Sequence, residues 1–158
     1  MIDEHESSYV PQAGARRTGQ LIVVGLDGSN TSWDAFSWAV GQAARTRGSL
    51  IAVFVTPIGE PTAGMAAPYA HAAAEETREL VGAELEHEAR QRADESGIEL
   101  NFVHEHGDAV EALTKVACAA HADLVVVGRS MKRRHHVMGS LGRRLVSRAD
   151  APVIVVVP

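Results

Sequence analysis

Apolar runs of strand length recur along the chain and are separated by stretches with helical spacing. They are Gln20–Leu26, Ser49–Thr56, Glu99–His104, Ala122–Val127 and Val153–Val157. Continuous apolar runs of this length are typical of parallel strands that are buried on both faces of a sheet. The third run instead alternates apolar and polar residues, which predicts a half-exposed strand at the edge of the sheet.

Two helices are predicted in the first half of the chain. The first follows the turn formers Asp27 to Asn30 and ends at Gly48. Its apolar residues recur at i, i+3, i+4 and i+7: Phe36, Ala39, Val40 and Ala43. The second spans about Ala70–Ser96 and stops at Gly97. We expect one buried face on it, formed by Val81, Leu85, Ala89 and Ala93.

Two further helices complete the alternation. Asp108 is the predicted cap of a helix whose buried face holds Ala109, Leu113, Val116, Ala117 and Ala120. The last helix is predicted over Met138–Arg148. Alternating strands and helices indicate an α/β fold, with a five-stranded parallel sheet covered on both faces. Right-handed crossovers make this an open, doubly wound sheet.

Length and composition fit one domain. The chain has 158 residues, of which 46% are apolar and only 4% aromatic, so the core is built from Ala, Val, Leu and Ile. The polar segment 1–18 contains Pro11 and Gly14, and we predict a flexible tail there. The single domain then covers 19–158.

Charge and cysteine content exclude several classes of protein. The formal net charge of −5 argues against a general nucleic-acid binder. No run reaches the roughly 18 apolar residues of a membrane span, and the N-terminus has no signal-peptide core. Cys118 is the only cysteine, which excludes a disulfide within the chain and fits a reducing compartment. We therefore expect a cytoplasmic protein with no membrane partner.

One basic segment stands out after the fourth strand. Between Val125 and Arg144 the chain reads VVVGRSMKRRHHVMGSLGRR, and the whole segment 129–148 holds seven Lys or Arg residues, two His and no acid. Glycines let backbone amides approach an anion, helix N-termini carry partial positive charge, and Arg side chains suit phosphate oxygens. The segment therefore predicts a phosphate site. The alternative is a solvated basic turn in which Ser140 only caps a helix.

Four stretches together resemble the universal stress protein family. VVGLDGSNTSWDAFSWA resembles its first strand, turn and helix, and IAVFVTP its second strand. GDAVEALTKVACAAHADLVVVGR resembles its third helix and fourth strand, and GSLGRRLVSRADAPVIVVVP its closing helix and final strand. The resemblance covers about Gln20–Pro158.

The resemblance implies a sheet with strand order 3-2-1-4-5. Ligands of such sheets bind beyond the carboxyl ends of the strands, at the switch point between strands 1 and 4. By resemblance the ligand is ATP with Mg²⁺, or another adenine nucleotide, with little or no hydrolysis. The implied cofactor-binding residues are Asp27, Gly28, Val55, Gly128, Arg129, Gly139, Ser140 and Leu141.

The loop departs from the family pattern Gly-x2-Gly-x9-Gly-Ser/Thr at two points. Gly128 and the pair Gly139-Ser140 match it, but Met131 replaces the second glycine. Seven residues, 132–138, then stand where the pattern has nine. A methionine could fill the phosphate volume, and a shorter loop must take another path.

Two of these implied binding roles have purely structural alternatives. By resemblance Asp27 would bond the ribose hydroxyls or help hold a metal, and the Val55 backbone would meet the adenine edge. Asp27 could instead be a capping residue of the turn, and Val55 could be ordinary strand core.

Other candidate chemistry is weak. His104 and His106 point the same way on a strand and could share Zn²⁺, but no third ligand is evident, so surface histidines are the alternative. Ser140 lacks a His-Asp pair to activate it, and Cys118 is expected to be buried and inert. We predict no catalytic residue, no metal ligand, and no enzyme beyond a very weak ATPase.

The apolar final strand predicts an assembly. An unpaired edge is an aggregation hazard, and pairing strand 153–157 with its copy gives a two-fold homodimer. The alternative is an edge covered by the N-terminal tail.

Two main hypotheses of function follow. One is a stress-response regulatory module that binds an adenine nucleotide. The other is an interaction or scaffold protein with no cofactor, whose basic segment 129–148 meets an acidic regulatory partner. Nucleic-acid binding through that segment is a third, weaker hypothesis.

Overall fold

Strands and helices alternate along the chain as the sequence predicts. The computed structural model describes residues 18–58, 67–129, 140–148 and 152–158. Its elements are β1 Leu21–Leu26, α1 Asn30–Thr46, β2 Ser49–Thr56, α2 Ala67–Glu95, β3 Leu100–His106, α3 Ala109–Ala119, β4 Leu124–Gly128, α4 Ser140–Val146 and β5 Val153–Val157. The predicted tail 1–18 lies outside the described residues except for Thr18.

The five strands form one parallel sheet in the order β3-β2-β1-β4-β5. Both the α/β architecture and this order are confirmed. The half-exposed third strand lies at one edge and the terminal strand at the other, as expected. Because α1 and α2 pack on one face and α3 and α4 on the other, the sheet is doubly wound.

Alternating residues of β1 build both halves of the core. Ile22 and Val24 face α1 and α2, whereas Leu21 and Val23 face α3 and α4. Phe36 fills the first layer and Leu113 the second, and both are fully buried. Burial of each large aliphatic or Phe side chain contributes about 1.5–3 kcal/mol, so this central strand anchors the fold.

The predicted buried face of α2 is wrong at its N-terminal end. Leu85, Ala89 and Ala93 are buried, but Val81 is 40% exposed. The four positions are spaced by 4 residues, whereas a helix turn takes about 3.6. Each step therefore rotates the side chain by about 40°, and over three steps Val81 moves off the face that contacts the sheet.

The prediction that Cys118 is buried is also wrong, because its side chain is exposed. The buried positions of α3 include Leu113, Val116 and Ala117. A step of one residue turns a helix by about 100°, which carries residue 118 past that face. The alanines around it concealed this in the sequence, because alanine occurs on both faces.

Two predicted strand boundaries shift by two residues each. β4 begins at Leu124 rather than Ala122, because the Asp123 carboxylate and backbone instead bond to the start of β1. β3 continues to His106, since its ladder with β2 runs on to Thr56. α4 begins at Ser140, and the predicted start at Met138 lies outside the described residues.

The end of β4 packs directly against the first turn of α1. A Cβ atom at Gly128 would lie 2.2 Å from the Thr31 carbonyl oxygen and 2.9 Å from the Ser32 nitrogen. Both are backbone atoms, so they cannot swing aside as a side chain would. Glycine at this position therefore sets how closely α1 approaches the sheet.

We expect Gly128→Ala to lower the free energy of unfolding by roughly 3 kcal/mol, because the methyl group forces α1 away from β4. Urea denaturation measures this. The matched control is Gly41→Ala inside α1, where the nearest atom to a new Cβ is the flexible Arg45 guanidinium at 3.5 Å. That change stabilises by about 0.5–1 kcal/mol because alanine favours the helix. Equal effects at the two positions would contradict the packing argument.

A charge clamp ties α4 to the start of α3. Asp108 caps α3 by accepting from the backbone N–H of Val110 at 3.0 Å and of Glu111 at 3.2 Å. Both terminal nitrogens of Arg144 donate to the other carboxylate oxygen of Asp108 at 3.0 Å. Arg148 lies 3.8 Å from Glu111. The hydrogen bonds from Arg144 lower the pKa of Asp108, and the capped amides add to this.

The lowered pKa of Asp108 gives the clamp a defined pH dependence. A carboxylate with a lowered pKa stabilises the fold above its ordinary value of 3.8, and this stabilisation is lost as the pH falls through the folded pKa.

We expect Asp108→Asn and Arg144→Met each to lower the free energy of unfolding by about 0.5 kcal/mol at pH 7, since the pair is partly exposed. The double variant should lose no more free energy of unfolding than the more destabilised single variant. In all three variants the free energy of unfolding should depend less on pH below pH 4. Urea unfolding between pH 7 and 3 tests this, and additive losses would contradict the clamp.

Candidate functional site at the carboxyl edge of the sheet

The neighbours β1 and β4 form the switch point of the sheet. The chain leaves β1 for α1 on one face, and the chain after β4 reaches α4 on the other. Connections that diverge to opposite faces leave a crevice beyond the carboxyl ends of the two strands. The candidate site lies there.

The strand register brings most of the predicted residues to this edge. Leu26 pairs with Phe54, so Asp27 comes next to Val55 when the pairing continues by one residue. The pairing of β1 with β4 ends at Val24 and Val126, and Asp27 and Arg129 each follow that last pair by three residues. Asp27, Gly28, Val55, Gly128 and Arg129 therefore share one edge.

The predicted residues of the closing loop are placed only in part. Ser140 opens α4, and Leu141 is half-buried against the core layer under α3 and α4. Gly139 and Met131 lie outside the described residues.

Asp27 organises the turn between β1 and α1. Its Oδ1 accepts from the backbone N–H of Ser29 at 2.9 Å and from the Ser29 hydroxyl at 2.6 Å. Ser29 in turn caps α1 by accepting from the Ser32 N–H at 3.2 Å. Gly28, at φ +81°, supplies the left-handed residue that the turn needs. Asp27 thus holds the turn before the Ser29 cap rather than capping α1 itself, and it remains exposed at the edge.

Val55 and the end of β4 are also engaged in the fold. The Val55 side chain packs against the core layer under α3 and α4. The backbone N–H of Arg129 donates to the Val157 carbonyl at 2.7 Å and thereby extends the β4–β5 ladder. The Arg129 side chain is exposed, so its guanidinium rather than its amide is the group an anion could meet.

The basic segment does not direct all its charge at the crevice. Arg144 and Arg148 face the α3 carboxylates Asp108 and Glu111. Lys132, Arg133 and Arg134 lie outside the described residues. Of the basic residues that the structure describes, Arg144 and Arg148 therefore pair with carboxylates instead of being left for an anion at the crevice.

A groove of about 460 Å³ lies beside Gly28, between α1 and α2. Trp33 of α1 and Leu85 of α2 contribute apolar surface to it, and Glu84 and Glu88 of α2 contribute carboxylates. The Arg92 guanidinium sits 4.3 Å from the Trp33 ring centre and pairs with Glu88, so it joins the two helices. The carboxylates of Glu84 and Glu88 repel a phosphate group near α2, so the β4 side of this edge is the more favourable place for phosphate.

A second polar cluster lies at the ends of β2 and β3. The Thr56 hydroxyl oxygen is 2.7 Å from His106 Nδ1 and 3.2 Å from His104 Nε2. Among the described residues no group of three His, Cys, Asp or Glu side chains could hold a metal ion. His104 is half-buried, which corrects its interpretation as a surface histidine. The sequence had no signal for Thr56, because only the register places it between the two imidazoles.

Several groups act on the pKa of His104. Burial lowers it most, and the neighbouring His106 lowers it further. Carboxylates on α2 and β3 oppose this: Glu75, Glu79 and Glu105. The net effect is a pKa below the ordinary 6.5, so His104 is mainly neutral at pH 7.

The fold matches that of solved universal stress proteins. UspA from Lactobacillus plantarum is 25% identical, with a TM-score of 0.71, and the match covers 92% of this chain and all of that one. A universal stress protein in complex with cAMP is 24% identical, with a TM-score of 0.65 over 89% of this chain and 98% of that one. A universal stress protein from Archaeoglobus fulgidus in complex with dAMP shares the fold at 17% identity, with a TM-score of 0.64 over 89% and 99% of the two chains.

Within the described ranges, no helix has the length and apolarity needed to cross a bilayer. A comparison with curated protein sequences gives no significant match. The model of the universal stress protein family matches residues 20–157, from just before β1 to the end of β5. The match takes in every strand and helix described above, and the chain belongs to the universal stress protein family.

Proposed function

We propose that this chain is a cytoplasmic stress-response regulatory module that binds an adenine nucleotide in the crevice between β1 and β4. The observation that carries this is the parallel pairing of β1 with β2 and β4, which directs the chain toward Asp27, Val55 and Arg129 at one edge of the sheet. These residues offer a carboxylate for ribose hydroxyls, a strand backbone for the adenine edge and a guanidinium for phosphate. Structural neighbours in complex with cAMP and dAMP support adenine as the base.

The distribution of charge supports one orientation of the nucleotide. Glu84 and Glu88 line the groove on the α2 side, whereas Arg129 is exposed at the end of β4. Phosphates at the β4 side avoid the carboxylates and meet the guanidinium. The base then lies toward Val55. ATP carries more phosphate charge than a single side chain balances, and bound Mg²⁺ would supply the remaining positive charge.

The same crevice favours binding over hydrolysis. Hydrolysis needs a group that orients an attacking water, and Asp27, the carboxylate expected at the crevice, is assigned to the ribose hydroxyls in this proposal. We therefore propose no ATPase activity beyond a very weak one.

A second candidate function is an interaction module with no nucleotide. The pairing of Arg144 and Arg148 with α3, and of the Arg129 amide with β5, supports it, because each removes a group from a phosphate site. An acidic partner would then meet the exposed guanidinium groups of Arg129 and Arg143.

Nucleotide binding predicts a ligand-dependent rise in Tm. At about 100 times Kd, ATP with Mg²⁺ should add about 2.7 kcal/mol, or roughly 5–10 °C for a domain of this size. Asp27→Asn keeps an oxygen for the turn but removes the charge, so we expect roughly tenfold weaker binding. Thermal shift and calorimetric titration measure both effects.

Controls separate the two candidate functions. Asp34→Asn, an exposed residue of α1 with the same change of charge, should bind ATP as the wild type does. Adenosine and pyrophosphate tested separately distinguish base contacts from phosphate contacts. A protein that binds none of the three ligands is not a nucleotide-binding module, and salt-sensitive capture of an acidic partner would then support the interaction module.

We further propose a homodimer that pairs β5 with its copy. β5 is an edge strand, and its residues Val153 and Val156 are 64% and 46% exposed. Val146 of the adjacent α4 is 65% exposed and extends the apolar surface. Apolar residues on an open edge are stabilised when a second strand covers them.

Lysine at positions 153 and 156 should therefore dissociate the dimer, because pairing would bury like charges. In light scattering coupled to size exclusion, the wild type should have twice the chain mass and Val153→Lys/Val156→Lys the mass of one chain. Leu80→Lys, at an exposed position of α2, is the control and should stay dimeric. A wild type with the mass of one chain would refute the proposed assembly.

A further inference from the structure

The Thr56–His104–His106 cluster joins the edge strand β3 to the helix above it. The His104 ring lies 4.9 Å from the Phe54 ring and 4.7 Å from the His106 ring, measured between centres. Thr56 is only 3% exposed, and its hydroxyl lies between the two imidazoles. A stacked, half-buried ring that shares a buried hydroxyl is held in one orientation.

Helix α2 crosses this cluster at a glycine. A Cβ atom at Gly82 would lie 3.3 Å from Phe54 and 3.5 Å from His104 Nδ1. The backbone of α2 is therefore in close contact with the stack. The His104 ring and the backbone of α2 are therefore neighbours at this point.

Protonation changes which partners suit His104. A neutral imidazole needs one donor and one acceptor site, but a protonated one has an N–H on both nitrogens. Nε2 has the Thr56 hydroxyl as its partner. Nδ1 faces the backbone of α2 at Gly82, and among the described residues it has no hydrogen-bond acceptor. Protonation thus adds an N–H donor at Nδ1 and a positive charge on the ring, next to the backbone of α2 at Gly82.

Carboxylates offer the protonated ring another position. Glu79 and Glu75 precede Gly82 on α2 by about one and two turns, and Glu75 also pairs with Arg78. On β3, His104 is followed by Glu105 and then by His106. The Glu105 carboxylate lies 3.5 Å from the Lys115 ammonium group of α3. The α2 carboxylates attract the charged ring, while His106 repels it once it is charged.

We propose that His104 is a pH-operated contact between β3 and α2. In the neutral form it stacks on Phe54 and bonds Thr56 beneath Gly82. In the protonated form it leaves the contact at Gly82 for the carboxylates of Glu75 and Glu79 nearer the start of α2, and the packing of α2 around Gly82 loosens. This device is independent of the nucleotide proposal, because it lies at the ends of β2 and β3 and needs no ligand.

The sign of the effect on stability follows from the lowered pKa of His104. The neutral ring stabilises the fold above the ordinary value of 6.5, and this is lost as the pH falls through the lower folded pKa. Acidification below pH 6.5 should therefore loosen α2 before the whole chain unfolds.

NMR of the full chain between pH 8 and 4.5 tests the proposal. The His104 Cε1–H resonance should titrate with a midpoint below 6.5, and amide protection of α2 around Gly82 should fall with the same midpoint. Glu79→Gln should lower the midpoint further, because it removes a carboxylate that favours the charged ring. His104→Phe keeps a ring on Phe54 but cannot take a proton, so its α2 protection should be independent of pH.

The control and the contradicting results are distinct. His87→Gln, at an exposed position of α2, should leave the His104 midpoint and the protection of α2 unchanged. A His104 midpoint at or above 6.5, or α2 protection that is flat across the titration, would overturn the proposal. If His104→Phe does not fold, Glu79→Gln decides, since an unchanged midpoint there also overturns it.

Discussion

Burial of β1 on both faces is the constraint on which the rest of this structure depends. Its residues face α1 and α2 on one side and α3 and α4 on the other, while β2 and β4 pair with its two edges. A strand with no exposed face must be apolar throughout, and a shift of one residue would exchange the two layers of the core. The register is therefore fixed, and so is the level at which each neighbouring strand ends.

The candidate site is a consequence of that register. Asp27 follows the last residue of β1, and its turn places Gly28 and Ser29 at the start of α1. Gly128 brings the end of β4 against the same turn of α1, since no larger residue fits beside the Thr31 carbonyl. The crevice is thus built from groups that first serve the fold, and a ligand there would use what those groups still expose.

Three contacts of charged or titratable side chains lie near the carboxyl edge of the sheet, away from the switch point between β1 and β4. Asp108 and Arg144 hold α4 against α3, and the Glu88–Arg92–Trp33 contact joins α2 to α1. His104 of β3 lies next to Gly82 of α2 and beside the His106 ring, and carboxylates on α2 and β3 act on its pKa. The first two contacts link neighbouring helices and the third links a strand to a helix, so a few charged or titratable side chains join the elements near the carboxyl edge.

The periodicity of the sequence predicts the elements, the parallel sheet and its edge strands, because burial on both faces demands long apolar runs. It does not fix which way every helix residue faces. A spacing of four residues wrongly placed Val81 on the buried face of α2, and the alanines around Cys118 concealed its exposed position on α3. The motif around Gly128 identifies a crevice, but its spacing does not show that Arg144 turns toward Asp108. Thr56 had no signal at all. Its meeting with two histidines requires residues 48 and 50 positions apart to become neighbours, and only strand pairing, a long-range contact, brings them together.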